Sequence, residues 1–135
     1  MKNRINQVQE FQQAFSQVVN QKPTLVNKEL AGLRHDLMKE ENEEYLEAVL
    51  NNDITEIADA LGDQLYILCG TILTHGMQHI IEAVFNEIHR SNMSKLDCNG
   101  KPIINGENGV VDGSRPLGKI LKSKNYSEPN IKQFL

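Results

Sequence analysis

The chain has 135 residues, a formal net charge of −4, four Phe, three Tyr and no Trp. That length, with no Gly/Ser- or Pro-rich linker inside it, suits one domain with a core of Leu, Ile, Val and Ala, and the lack of a Lys/Arg excess excludes a general nucleic-acid binder while leaving a small nucleotide open. No stretch approaches the ~20 apolar residues of a membrane span, the first residues lack a signal core, and Cys69 and Cys98 lack zinc-site spacing, so a soluble cytoplasmic protein with two free thiols and no membrane partner is expected.

Ile5, Val8, Phe11, Phe15 and Val18 recur at spacings of three and four, which predicts a helix with one buried face from Ile5 to about Val19. Pro23 interrupts, because it lacks a donor and pushes its predecessor towards extended geometry. Asn27 then caps a second helix through Leu30, Leu33, Leu37 and Ala48 to about Leu50. This helix carries Glu40, Glu41 and Glu44, which at about 100° per residue share an arc of roughly 100°.

Asn51-Asn52-Asp53 forms a tight turn, and Asp53 caps a third helix that ends near His75-Gly76. Glu56, Asp59 and Asp63 fall within roughly 60° on that helix. Glu56 completes a capping-box pattern with Asp53, which is its plain structural explanation. Asp59 and Asp63 lie among Ile57, Ala60, Leu61 and Leu65, where buried carboxylates require partners or a metal. The joint between helices two and three is so short that they pack antiparallel, and the two acidic clusters converge. Stacked like charges destabilise a helix by a few tenths of a kcal/mol per pair, so a cation is expected between them. Glu43 and Glu47 read as solvated surface charge.

A fourth helix is predicted from about Gln78 to Met93 through Ile80, Ile81, Val84, Phe85 and Ile88. Four helices with short joints make an all-α antiparallel four-helix bundle over residues 1–96. From Asp97 onwards five glycines punctuate short runs, which predicts turns and one short hairpin. This irregular C-terminal arm, residues 97–135, is either part of the same domain or docked on a neighbouring subunit.

Glu40-Glu41-x-x-Glu44 followed twelve residues later by Glu56-x-x-Asp59 resembles the ExxE…ExxD signature of the MazG-like all-α nucleoside triphosphate pyrophosphohydrolases. The segment from Glu56 to Thr71 is similar to the branch named after phosphoribosyl-ATP pyrophosphohydrolase, and Phe85 to Lys95, with the Gly-Lys-Pro and Lys-x-x-Tyr elements of the arm, extends the resemblance over nearly the whole chain. Gly62, where a larger small residue is expected, and a longer loop over Asn105–Arg115 depart from it.

The resemblance implies that Glu41, Glu44, Glu56 and Asp59 bind Mg²⁺, with Mn²⁺ as a substitute, and that Glu40 is a further ligand or polarises the attacking water. A nucleoside triphosphate would be split between its α and β phosphates into monophosphate and pyrophosphate, a chemistry in which the metal offsets the repulsion between carboxylates and phosphates. Asp63 either completes the metal shell or holds a ligating water. Asn92 and Lys95 either contact phosphate or sugar or cap helix four. Arg34 either reaches a phosphate or pairs with a glutamate, and Tyr66 either meets a carboxylate, lines a base pocket or belongs to the core. Lys124 and Tyr126 are substrate candidates in the arm, against the alternative of a solvated tail.

The expected activity is a Mg²⁺-dependent nucleotide pyrophosphohydrolase clearing surplus or non-standard triphosphates. Phosphoribosyl-ATP hydrolysis in histidine synthesis and a non-catalytic metal-binding bundle are the alternatives. A di-iron bundle is excluded, because it needs Glu-x-x-His on two helices. The low apolar content of the arm and the resemblance point to a homodimer or homotetramer.

Overall fold

A computed structural model describes residues 1–135. The chain is all-α: α1 (Lys2–Ala14), α2 (Lys28–Leu50), α3 (Ile54–Thr74) and α4 (Ile81–Met93), followed by one 3₁₀ turn at Ile131–Phe134 and no β-strand. It divides into two compact units, Met1–Ile81 and Glu82–Leu135.

In the first unit α3 packs against both α2 and α1. The α2–α3 hairpin has firm ends. Asn27 Oδ1 accepts from the Leu30 N–H at 2.8 Å and starts α2. Asp53 Oδ1 accepts from the N–H groups of Thr55 and Glu56 at 3.0 and 3.2 Å and starts α3, with Asn52 in left-handed geometry at the corner. At the far end, Gly76 takes φ +68°, and the Gly76 and Met77 N–H groups close onto the carbonyls of Leu73 and Ile72. A side chain at position 76 would collide with the Lys22 carbonyl.

Helix one stops earlier than its apolar spacing predicts. Ser16 adopts φ +54°, and the N–H groups of Ser16 and Gln17 fold back to the carbonyls of Gln13 and Gln12 at 3.2 and 2.7 Å. This is the hydrogen-bond pattern of a Schellman end without its usual glycine. Helical spacing of Phe15 and Val18 therefore continues past a chain that has already turned. Helix four begins at Ile81 rather than Gln78, since Met77 to Ile80 form a turn closed by the Ile80 N–H on the Met77 carbonyl.

The core of the first unit is small. Ile5, Val8, Cys69, Ile72 and Leu73 are buried, with Val19, Met77 and Ile81 packed on them. Ala48 and Ala60 are also buried, and Gly62 stands in open space with no atom within 4 Å of a would-be Cβ. In the second unit, Asn105 is buried and holds its loop together. Its Nδ2 donates to the carbonyls of Asp112 and Arg115 at 3.0 and 2.8 Å, and its Oδ1 accepts from the Asp112 N–H at 2.7 Å. The expected hairpin reduces to a single antiparallel bridge between Ile104 and Ile120.

Candidate functional site

The acidic residues of α2 and α3 converge around Glu41. Its carboxyl is pushed above the ordinary glutamate range, first by burial and then by the charges of Asp63, Glu44, Glu40 and Asp59. Glu41 is partly buried, and its Oε2 is sealed from water with no hydrogen-bond partner. An ionised oxygen in that position is unfavourable unless a cation meets it. The hairpin is fixed beside it, because Gln64 Nε2 on α3 donates to the Glu41 carbonyl on α2 at 3.2 Å.

Burial falls on a different residue from the one the apolar context indicated. Asp59 and Asp63 are exposed, and Glu41 on α2 is the carboxylate that lacks water. The apolar neighbours of Asp59 and Asp63 in sequence lie on other sides of α3, since consecutive helical residues point about 100° apart.

Glu44 connects this group to Glu56. It acts on Glu41 through its charge, and it lines a cavity of about 370 Å³ together with Glu47, Asp53 and Glu56. The capping-box explanation of Glu56 does not hold. The Asp53 N–H that a capping box would satisfy already donates to the Ala48 carbonyl at 3.0 Å, so the Glu56 carboxylate is free of that duty. Glu47, read as surface charge, borders the same cavity.

The donor set is oxygen only, which suits a hard divalent cation. No three His, Cys, Asp or Glu side chains stand close enough to hold a metal ion by themselves. The carboxylates form an open fan, with one orphaned oxygen at Glu41, rather than a closed cage.

Arg34 is 7 % exposed and is held across the hairpin. Its Nε donates to Thr71 Oγ1 at 3.0 Å and its Nη2 to the Ile67 carbonyl at 2.6 Å. It pairs with no glutamate. Burial lowers its pKa. Arg34, Glu41, Asp63 and Tyr66 line a second cavity, of about 330 Å³. The Tyr66 ring stands edge-on to Phe11 at 5.7 Å and 82°.

The remaining candidates belong to the second unit. Lys95 Nζ donates to Asn92 Oδ1 at 2.7 Å at the end of α4. Tyr126 carries Lys122 Nζ 4.1 Å above its ring, and Lys124 is exposed.

Gln12 is absent from the residues that spacing singled out. It is 2 % exposed, lines the same cavity as Arg34, and its Oε1 has no partner. A signal was present: Ile5, Val8 and Gln12 follow the three-four spacing of the buried face, so a polar amide occupies an apolar position.

A family model described as phosphoribosyl-ATP pyrophosphohydrolase matches residues 8–92, from the middle of α1 to the last turn of α4. No curated protein matches the chain.

Proposed function

Because the chain belongs to the phosphoribosyl-ATP pyrophosphohydrolase family, a family of nucleotide pyrophosphohydrolases, we propose that it is a Mg²⁺-dependent nucleoside triphosphate pyrophosphohydrolase. It cleaves the α–β phosphoanhydride bond and yields a nucleoside monophosphate and pyrophosphate. Its role is the removal of surplus or non-standard triphosphates.

The observation that carries this reading is Glu41, whose sealed Oε2 has no partner and whose four acidic neighbours all disfavour its charge. A divalent cation relieves both. Mg²⁺ takes few protein carboxylates, keeps waters and accepts substrate phosphate oxygens, so an open fan suits it better than a cage. Glu41, Glu44, Glu56 and Asp59 would hold it, some directly and some through its waters, since no three acidic side chains stand close enough to bind it by themselves; Asp63 would complete the shell or hold a ligating water, and Mn²⁺ accepts the same oxygens. When bound, the metal neutralises phosphate charge, lowers the pKa of a coordinated water and stabilises charge developing on phosphorus oxygens.

The protein's own groups do the rest. Glu40, exposed beside Glu41, orients the attacking water and takes its proton as the water oxygen bonds to the α phosphorus. The bond from the α phosphorus to the bridging oxygen breaks, and that oxygen leaves with pyrophosphate and the electron pair. Glu41 cannot do the same while it holds a cation.

Pyrophosphate release from a panel of nucleoside triphosphates, with Mg²⁺ and with EDTA, tests the reading. EDTA should abolish release, and Glu41→Gln or Asp59→Asn should lower kcat/KM by about 100-fold or more. Full activity in both variants, or no release from any nucleotide, would sink it. The family's name favours phosphoribosyl-ATP as the second reading, and including that compound in the panel separates the two.

The protein is further proposed to work as a homodimer or homotetramer, on the strength of the apolar side chains that the single chain leaves exposed along α2 and α3.

A further inference from the structure

Three Asn-Gly pairs lie in the second unit: Asn99-Gly100, Asn105-Gly106 and Asn108-Gly109. The last two belong to the Asn105–Arg115 loop. In such a pair the peptide nitrogen of the glycine can attack the side-chain amide carbon of the asparagine, because glycine has no side chain to hinder the approach and lets the backbone turn freely. The attack needs an asparagine side chain free to rotate and a glycine N–H open to solvent, since hydroxide must take its proton. Along the sequence the three pairs are equivalent, and in the fold they are not.

Asn105 is 2 % exposed and held on every side. Its Nδ2 lies 3.0, 2.8 and 3.2 Å from the carbonyls of Asp112, Arg115 and Pro116, and its Oδ1 accepts from the Asp112 N–H. The Gly106 N–H is also engaged, donating to the Val110 carbonyl at 2.8 Å. Asn99 is exposed, but the Gly100 N–H donates to the Asp97 carbonyl at 3.0 Å. Asp97 Oδ1 fixes the peptides on either side by accepting from the N–H groups of Asn99 and Lys101, both at 2.8 Å.

Asn108 is exposed, its side-chain amide makes no hydrogen bond, and the Gly109 N–H donates to no protein group. Asn108 and Gly109, at φ +51° and +76°, are the two central residues of a turn closed by the Val110 N–H on the Glu107 carbonyl at 2.9 Å. That bond and the one from Gly106 to Val110 are all that spans the tip. Asp112-Gly113 is the corresponding acid pair. The hydroxyl and N–H of Ser114 donate to Asp112 Oδ1 at 2.6 and 2.9 Å and hold its carboxyl below the usual range, and an ionised carboxylate is a poor target for a nucleophile.

We propose that Asn108 is a modification site, at which the folded chain converts asparagine to isoaspartate with water as the only co-reactant. Hydroxide takes the Gly109 N–H proton, the nitrogen bonds to Asn108 Cγ, and the side-chain nitrogen takes up a proton and leaves as ammonia, closing a cyclic imide. Water then adds to one of the two imide carbonyls. Breaking the bond from nitrogen to Cγ gives aspartate. Breaking the bond from nitrogen to the main-chain carbonyl carbon gives isoaspartate, whose backbone runs through Cβ and Cγ. The net exchange is water in and ammonia out. Either product places a new negative charge beside Glu107, and isoaspartate lengthens the turn by one backbone atom, so the Val110 closure no longer fits its span.

The test is incubation of the full chain in warm, mildly alkaline H₂¹⁸O, followed by tryptic digestion and mass spectrometry. Because Lys101 and Arg115 each precede a proline, all three pairs stay on one peptide, Leu96–Lys119, and its fragment ions compare them directly. Uptake of ¹⁸O should appear first at Asn108, about fivefold or more ahead of Asn99, the factor set by the backbone hydrogen bond that Gly100 must release. Asn105 should follow only through opening of its loop. Electron-transfer fragmentation should show isoaspartate as the main product at position 108. In guanidinium chloride the three rates should converge. Equal rates in the folded chain, a lead by Asn99 or Asn105, or no conversion of Asn108 over a period in which the denatured chain converts it, each overturns the proposal. A lead by Asn108 that persists in the denatured chain overturns it too, since the preference would then belong to the sequence and not to the fold.

Discussion

Gly70 is the residue against which the Arg34 guanidinium rests. A Cβ there would stand 2.8 Å from Nη2, a side-chain atom that cannot swing away without leaving the Ile67 carbonyl. Gly70→Ala thus opposes a helix-propensity gain of ~1 kcal/mol with an overpacking cost of about 1–3 kcal/mol. Gly32, also inside a helix, has nothing within 4 Å of a Cβ. Gly32→Ala should raise the denaturant midpoint and Gly70→Ala should leave it unchanged or lower it; equal stabilisation by both would contradict the packing described. Glu41 makes a second residue-scale prediction, with the sign set by its raised pKa. In the unfolded chain it ionises in the ordinary range, and in the fold only at higher pH, so its contribution to stability falls as pH rises through that window. Glu41→Gln should therefore raise the melting temperature of metal-free protein at neutral pH by a few degrees, and have little effect well below the carboxylate range. Mg²⁺ should stabilise the unaltered protein and not the variant. A variant that melts lower at neutral pH, or gains as much from Mg²⁺, contradicts this.

At the scale of elements, the second unit has its own clasp. Glu87 on α4 accepts from Arg90 Nε and Nη2 at 2.9 and 2.8 Å and from the Asn130 N–H at 2.9 Å, while Arg90 Nη2 also reaches the Glu128 carbonyl at 3.0 Å. The hydrogen bonds from Arg90, then that from Asn130, hold the Glu87 carboxyl down to about 2. A depressed carboxyl stabilises the clasp fully above the ordinary glutamate range and ceases to do so as pH falls towards about 2. The Asn130 amide proton should titrate with a midpoint near 2, and the transition should disappear in Glu87→Gln. A midpoint in the ordinary glutamate range would show that the clasp does not form. In the hairpin, sequence alone supplied both caps, because Asn27 and Asp53 act through bonds to N–H groups two or three residues away. It did not supply the end of α1, where Ser16 takes a left-handed conformation that glycine usually occupies.

For the whole molecule the informative quantity is what the single chain leaves uncovered. Leu46, Leu50, Ile54, Leu61, Leu65 and Leu68 are 42 to 76 % exposed. Leu61, Leu65 and Leu68 border an apolar groove of about 490 Å³ with Met38. Helical periodicity marks such residues as buried, and the single chain does not bury them. A second copy placing its own hairpin on this face would, since a two-fold interface joins like surfaces. Sedimentation should give two or four times 15.3 kDa, and Leu65→Glu should shift it towards 15.3 kDa. A monomer at micromolar concentration would remove this reading.

The sequence by itself determined the helical class, the hairpin, its caps and the two acidic faces, because each depends on residues within a turn or two of one another. The family was legible for the same reason: its signature is local spacing on α2 and α3. Only the tertiary structure decided which carboxylate loses its water, that Glu56 is released from a capping role by the Ala48 carbonyl, and that Gln12 and Arg34 share a cavity. Burial and hydrogen-bond satisfaction depend on which elements meet. Residues 12, 34 and 74 are brought together by three helices, and no pattern along the chain states that distance. The acidic clusters thus marked the candidate site, while which of their carboxylates loses its water depended on packing.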